Sequence, residues 1–300
     1  MVHPLKMILV FGLIALALSC KQKQDATSTS DSNEKEIVKD ELTGIPESWI
    51  DNRVEKAKTR LASTEAGQVI WNAMEAHGGL KTWHANGALA MRFNYQPLDG
   101  STRRDSYQVV DTWNNKAVHW SVKDSTQSYG WTGTKAWVKA NDETVFPYDT
   151  KFWAITPLYL MGFPFVLDGE GVNLELLADS DYKGKTNKVV KITFDAGTGD
   201  APDDYYILHF DAETNLLIGT RYIVSYPQYF KDGGHAPEKF MEVGPLVNTE
   251  GILLPSELKT HWTVDGKPGE HITQIDISDY SFKKELGEGF YEMPPDAKTL

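Results

Sequence analysis

The sequence has only one cysteine among its 300 residues. Intrachain disulfides and thiolate metal sites are therefore excluded, and the hydrophobic core must stabilise the fold. Basic residues are also scarce, since 30 Lys and Arg stand against 42 Asp and Glu, for a net charge of -12. Affinity for nucleic acid comes largely from phosphate neutralisation by Lys and Arg. The composition thus argues against a nucleic-acid partner and against membrane binding by charge alone.

Several catalytic and metal-binding motifs are missing as well. There is no Gly-x-Ser-x-Gly elbow and no His-Glu-x-x-His pair. Carboxylate pairs for glycoside hydrolysis are defined by distance in space and leave no sequence spacing. We therefore predict no catalytic residue, no metal ligand and no cofactor, and keep a hydrolase only as the least favoured of three functions.

The one cysteine, Cys20, directly follows an apolar run over residues 7–18. Lys6 precedes the run and small Ser19 follows it, which is the pattern of a secretory signal. The run is too short for a membrane span, which needs about 20 apolar residues. Residues 17–20 resemble a bacterial lipobox, in which the cysteine is lipidated and becomes the new N-terminus. The alternative is an ordinary signal peptide with an incidental cysteine.

This pattern divides the chain into three segments. Residues 1–19 are predicted to be a lipoprotein signal peptide, residues 20–45 a disordered tether that starts at lipidated Cys20, and residues 46–300 one folded domain. Few side chains of the tether could enter a core; the alternative is a strand that joins the domain. We expect a cell-envelope protein held to a membrane by its lipid anchor, with the outer membrane favoured and either its periplasmic or its surface side possible.

Two helices are predicted at the start of the domain. Pro46 suits a first helical turn, and apolar residues recur at helical spacing over residues 49–61. Thr64 can cap a second helix, which Gly78 and Gly79 should end.

From about residue 90 the apolar period changes from 3.6 to 2. Met91, Phe93 and Tyr95 alternate with polar residues, as do Tyr107 and Val109 and, further along, Val118 and Trp120. Short connections and this alternation predict a mainly β (α+β) fold with a single curved antiparallel sheet. By the same alternation, three histidines are expected on the outer face of the sheet: His119, His209 and His261.

Residues 152–167 break the alternation, because they are almost wholly apolar yet contain Pro157, Gly162 and Pro164. These residues forbid a long helix or a central strand. We predict a short helix and loop that plugs the concave side of the sheet or covers its mouth. The side chains expected to form this lid are Phe152, Trp153, Leu158, Phe163 and Phe165.

The order of these features resembles the LolA/LolB-like lipoprotein-carrier superfamily, and within it a set of uncharacterised lipoproteins of Gram-negative bacteria. The resemblance runs from about residue 65 to the C-terminus, through residues 76–83, 129–137, 157–168, 211–221 and 251–255. It implies an unclosed β-barrel wrapped around N-terminal and lid helices, with an apolar cavity that holds acyl chains in the carriers. No functional residue of the carriers can be placed on this chain by motif.

The aromatic side chains of the strands suggest what the cavity would bind. Concave apolar pockets are the usual form of small-molecule sites. We predict a non-catalytic protein that binds or carries an acyl chain or lipid; the alternatives are surface recognition of glycan or protein, and simple core packing of these residues. The predicted cavity residues are Phe93, Tyr95, Trp113, Trp120, Trp131, Tyr222, Tyr226 and Trp262.

Overall fold

The computed structural model describes residues 44–199 and 201–300. The predicted signal peptide, Cys20 and nearly all of the tether lie outside these residues, so those assignments stay predictions. None of the helices in the described part of the chain combines the length and the apolarity that crossing a membrane requires.

Three helices open the domain: α1 (Glu47–Leu61), α2 (Glu65–Ala76) and α3 (Leu80–Ala85). The hydroxyl of Thr64 accepts a hydrogen bond from the amide of Gly67 at 3.0 Å and so caps α2, as predicted. Gly78 and Gly79, at φ +118° and +89°, end it. Helix α3 was not predicted, because six residues are too few to show a helical period.

Fifteen strands follow within the described residues, every neighbouring pair of them antiparallel. Thirteen form one sheet in the order β15-β5-β4-β3-β2-β1-β14-β13-β10-β9-β8-β7-β6, and β11 and β12 form a separate hairpin. The prediction of one unclosed antiparallel sheet is confirmed. The strands are β1 (Ala88–Pro97), β2 (Arg104–Val110), β3 (Ala117–Ser121), β4 (Ser128–Trp131), β5 (Ala136–Lys139), β6 (Val172–Tyr182), β7 (Lys185–Phe194), β8 (Tyr206–Asp211), β9 (Leu217–Tyr222), β10 (Lys239–Val243), β11 (Leu246–Thr249), β12 (Ile252–Pro255), β13 (Glu257–Val264), β14 (Lys267–Lys283) and β15 (Lys298–Thr299).

One face of the sheet, the inner face, carries the main hydrophobic core. On β1 the inward side chains are Leu89, Met91 and Phe93, as the alternation predicts. Register extends this face across the sheet, because residues paired on neighbouring strands point to the same side. Phe93 pairs with Ile277 of β14, for example, and both are buried in the core. Helix α2 packs on this face against β6 and β7.

The predicted inward side is wrong for β2 and β3. Gln108 and His119 are paired across these strands, point inward and are buried, whereas Tyr107 is 43% exposed and Trp120 lies on the outer face. The cause lies at the C-terminus, which covers this part of the outer face: β15 pairs with β5, and Phe290 packs on Trp120 at 6.0 Å. Because both faces of these strands are partly covered, their outer face also carries apolar residues. Those residues alternate with polar ones just as inward residues would, so alternation does not identify the inner face. His209 and His261 do lie on the outer face.

Residues 150–167, here called the plug segment, fill the concave side. They form α4 (Thr150–Trp153), α5 (Thr156–Met161) and a short 3-10 helix at Phe165–Leu167. Leu158 and Phe165 are buried in the main core. The predicted helix and loop are therefore confirmed, and the plug segment is part of the core that it covers.

The corner between α1 and α2 gives a stability prediction. A β-carbon at Gly67 would lie 2.1 Å from the backbone oxygen of Leu61, which is far too close for contact. We expect Gly67→Ala to lower the free energy of unfolding by about 1–3 kcal/mol, because backbone atoms must shift. Gly287→Ala is the matched control, since nothing lies within 4 Å of a β-carbon there. Equal stability of the two variants in chemical denaturation would contradict the tight corner.

Candidate functional site

An apolar cleft lies between the plug segment and the ends of β7, β8 and β9. Its volume is about 140 Å³. Small-molecule sites typically have mostly apolar walls and volumes of about 300–1,000 Å³, so the cleft matches them in its lining and is smaller than they are. The described residues that line the cleft are Phe152, Ile155, Thr156, Tyr159, Leu160, Phe194, Thr198, Gly199, Ala201, Asp204, Tyr206, Tyr222, Val224 and Tyr226.

Aromatic rings from the strands form the floor of the cleft. Tyr206 and Tyr222 are paired across β8 and β9, and their rings stack at 6.0 Å. Phe194 and Phe163 pack on Tyr206 at 6.0 and 5.2 Å. Burial raises the pKa of both tyrosine hydroxyls well above its usual value. These hydroxyls therefore stay neutral, and the floor carries no charge.

Asp204 is the carboxylate on the cleft wall. One of its oxygens accepts hydrogen bonds from the amide and the hydroxyl of Ser225, at 2.6 and 2.7 Å. Burial raises the pKa of Asp204, and these hydrogen bonds oppose the rise. Its role in the structure is to hold the chain that follows β9, where Val224 and Tyr226 enter the cleft.

The plug segment has two parts with different surroundings. Its first part, around Phe152 and Tyr159, faces the cleft. Its last part is anchored, because Phe165 stacks on Trp83 of α3 at 4.8 Å with the rings nearly parallel. Leu158 in the first part and Phe163 between the two parts are also buried. The plug segment therefore contributes to the main core along its whole length, through Trp153, Ala154 and Leu158 as well as Phe165.

His119 fastens the first part to the sheet. Its Nε2 donates to the backbone oxygen of Ala154 at 2.7 Å, and its Nδ1 lies 3.2 Å from the hydroxyl of Ser106. Burial lowers the pKa of His119 to about 4, so the ring is neutral at physiological pH. A neutral ring with hydrogen on Nε2 satisfies both contacts.

A buried charged cluster holds the C-terminal end of the plug segment. No sequence pattern indicated this cluster. Asp168 accepts from Nε and Nη2 of Arg53, at 2.5 and 2.9 Å, and from Nε2 of His84 at 3.1 Å. Burial alone would raise the pKa of Asp168, but the hydrogen bonds from His84 and Arg53 outweigh it and lower the pKa. Burial lowers the pKa of His84. An ionised Asp168 thus joins the plug segment to α1 and α3.

The cleft brings together only some of the predicted cavity and lid residues. Tyr222, Tyr226 and Phe152 line it. Tyr95 lies beside it, with its ring 4.7 Å from that of Trp153. Phe93 lies on the same inner face but is buried in the core.

The remaining tryptophans lie elsewhere. Trp131 packs against the core from β4, and Trp262 lies at the open end of the inner face, 37% exposed. The predictions for Trp113 and Trp120 are wrong. Trp113 sits in the turn after β2 under the guanidinium of Arg53, at 4.7 Å, and Trp120 lies on the outer face. Trp113 follows the end of its strand, so strand alternation does not apply to it.

Other lining residues were missed. Tyr206 and Phe194 carried a usable signal, because Tyr206, Leu208 and Phe210 alternate within one strand. Ile155 and Tyr159 lie within the predicted lid but were not singled out. Asp204 reaches the cleft through a loop, which leaves no periodic signal. Within residues 44–199 and 201–300, no three His, Cys, Asp or Glu side chains converge as a metal site.

An unclosed antiparallel sheet wrapped around helices is the LolA-like fold, and comparison with solved structures shows the same. A LolA superfamily protein from Nitrosomonas europaea is similar over 77% of this chain and 98% of its own, with a TM-score of 0.51 and 10% identity. At that identity the likeness shows a shared fold.

Two further solved structures are more distant. An outer-membrane lipoprotein-sorting protein domain from Vibrio parahaemolyticus covers 81% of this chain and 97% of its own, at a TM-score of 0.46 and 10% identity. The Mycobacterium tuberculosis lipoprotein LppX is similar over 71% of this chain and 93% of its own, with a TM-score of 0.24 and 13% identity. No family model matches the sequence, and no curated protein is significantly similar to it.

The buried histidines predict how stability depends on pH. His119 has a pKa of about 4 in the folded protein against 6.5 for the unfolded chain, so its contribution is complete above pH 6.5 and is lost as the pH falls towards 4. Wild type should therefore lose free energy of unfolding as the pH falls from 7 to 4. We expect His119→Gln to make this loss smaller by up to about 3 kcal/mol. His209, with a pKa of about 4, adds a loss of the same sign in both proteins.

Urea denaturation at pH 7, 6, 5 and 4 measures the slope of the free energy of unfolding against pH. Replacing the exposed His235 with Gln is the control and should leave the slope unchanged. The account of His119 fails if the His119→Gln protein loses stability with acid as steeply as the wild type.

Proposed function

We propose that this chain is a lipid-anchored envelope protein of non-catalytic type that binds or carries an acyl chain or lipid in its cleft. The observation that carries the proposal is the cleft itself, whose floor of neutral aromatic rings is roofed by the first part of the plug segment. Such walls offer contact with hydrocarbon and few partners for a polar ligand.

Burial of hydrocarbon supplies the affinity. Each buried CH₂ contributes about 0.8 kcal/mol. A chain of ten methylenes would gain about 8 kcal/mol, from which the costs of association are subtracted. An acyl chain therefore needs no specific polar contact to bind, and the cleft can accept chains from more than one source.

The two parts of the plug segment suggest how a ligand enters. The part that carries Phe152 and Tyr159 is the lid: it swings away while Phe165 stays packed on Trp83. His119 is the contact that this motion breaks, because it holds the backbone of Ala154 to β3. Loading exchanges that hydrogen bond and the lid's ring contacts for contacts with the ligand.

The positions of the tryptophans support a buried ligand over surface recognition. Only Trp49 and Trp262 among the described tryptophans are exposed, at 61% and 37% of their surface. The others are buried or half-buried, so they do not form an exposed aromatic platform. The tether and Cys20 would hold the domain near a membrane from which lipid could be taken.

Filling the cleft should weaken binding. Val224 lines the cleft and is half-buried, so Val224→Trp places a large ring in the space for the ligand. We expect its affinity for dodecanol to fall by about tenfold or more, the equivalent of losing about two buried CH₂ groups. Native mass spectrometry of the full-length protein, released from non-ionic detergent, measures the bound fraction.

The matched control is Val247→Trp, the same change on the exposed strand β11. This variant should bind dodecanol as the wild type does. If Val224→Trp and Val247→Trp bind equally well, the ligand lies outside the cleft. If the wild type binds no dodecanol at any tested concentration, the proposed function is wrong.

The anchor is tested separately. In a Gram-negative host grown with an alkyne fatty acid, the wild-type chain should become labelled and sediment with membranes. Cys20→Ala should lose the label and leave the chain unprocessed, because no other thiol is present for lipidation. A wild-type chain that is cleaved but carries no label would instead establish an ordinary signal peptide.

A further inference from the structure

Two cationic side chains project from the inner face of the sheet beside the cleft. Arg104 is paired with Tyr95 on β1 and therefore shares its inward direction. Lys239 on β10 is paired with Tyr222, which forms part of the cleft floor, and with Trp262. Both cations are half-buried. Charged residues on an apolar concave face call for an explanation, because burial without a partner is costly.

Aromatic rings surround both cations. The guanidinium carbon of Arg104 lies 5.1 Å from the ring centroids of Tyr95 and of Trp153 in α4. Nζ of Lys239 lies 6.0 Å from the ring of Tyr222 and 5.8 Å from that of Trp262. Through these rings the two cations adjoin the cleft, since Tyr222 lines it and Trp153 adjoins Phe152 in the lid.

Neither cation has a carboxylate partner among the described residues. Outer-face arginines are paired: Arg92 makes two hydrogen bonds with Asp105, and Arg221 makes two with Glu238. No described carboxylate oxygen lies within 4.0 Å of Arg104 or Lys239. Nε of Arg104 is buried without any hydrogen-bond partner.

The local electrostatics are consistent with a missing anion. Burial lowers the pKa of Lys239, and the positive charge of Arg104 lowers it further. The two cations therefore lie close enough to repel each other. Asp204, the carboxylate on the cleft wall, is engaged by Ser225 and does not neutralise them.

We propose that Arg104 and Lys239 together bind the anionic head group, a carboxylate or a phosphate, of the amphiphile whose hydrocarbon chain lies in the cleft. This inference rests on the proposed function and names its ligand class. An arginine fork matches the geometry of either anion, and a lysine ammonium adds a second charge. Partial burial among these rings lowers the local dielectric constant, which strengthens the charged contacts.

The test compares three ligands of equal chain length on the full-length protein in one non-ionic detergent: dodecanoate, dodecyl phosphate and dodecanol. Native mass spectrometry gives the bound fraction of each with wild type, Arg104→Gln and Lys239→Gln. The ratio of variant to wild type for one ligand cancels its partition into micelles. We expect each variant to bind the anions about tenfold or more weakly and dodecanol within about twofold of wild type.

Two controls separate charge from structure. Lys239→Arg keeps the charge and should retain the binding of both anions. Lys191→Gln removes a cation that lies over a tyrosine ring on the outer face, 5.7 Å from the ring of Tyr205, and should change nothing. Tighter binding of dodecanoate by the wild type would identify the head group as a fatty-acid carboxylate, and tighter binding of dodecyl phosphate would identify it as a phosphate ester.

Each outcome decides the inference. Selective loss of the anions in both variants supports it. Unchanged anion binding in the variants overturns it, and the proposed function survives if dodecanol still binds. Loss of dodecanol together with the anions shows a structural role for the cation and also overturns it. If wild type binds none of the three ligands, the proposed function fails and this inference fails with it.

Discussion

The need to cover one wide concave face governs this structure. A thirteen-stranded sheet that does not close exposes an apolar inner face, and the burial of that face provides most of the available hydrophobic stabilisation. Helices α1 to α3 cover only part of it. The plug segment covers the rest, which is why a stretch that is neither a long helix nor a strand can be almost wholly apolar.

The way the plug segment is attached creates the cleft. Its helices are short, because Pro157, Gly162 and Pro164 interrupt them, and short helices cannot match a long curved surface. One end is fixed by the buried Asp168 cluster, whereas the other is held by a backbone contact from His119. The space between the first part of the plug segment and the strand ends remains open, and two cations without a carboxylate partner among the described residues lie at its side.

Sequence patterns predicted the features that depend on local periodicity. The caps at Thr64 and Gly78, the antiparallel sheet and the apolar plug all follow from spacing and turn chemistry. Alternation failed on β2 and β3, because the C-terminus partly covers their outer face as well. Arg104 and Lys239 could not be predicted, since a cation in a strand normally indicates the solvent face, and only the register shows that these two point inward.

The central claim is that a hydrocarbon chain occupies the cleft between the plug segment and strands β7 to β9. A crystal structure of the protein with 12-bromododecanoic acid tests it directly, because the anomalous signal of bromine locates the end of the chain. The account predicts a bromine peak inside the cleft, near Tyr206 and Phe194. A peak confined to the outer surface of the sheet, or an empty cleft at saturating ligand, would contradict it.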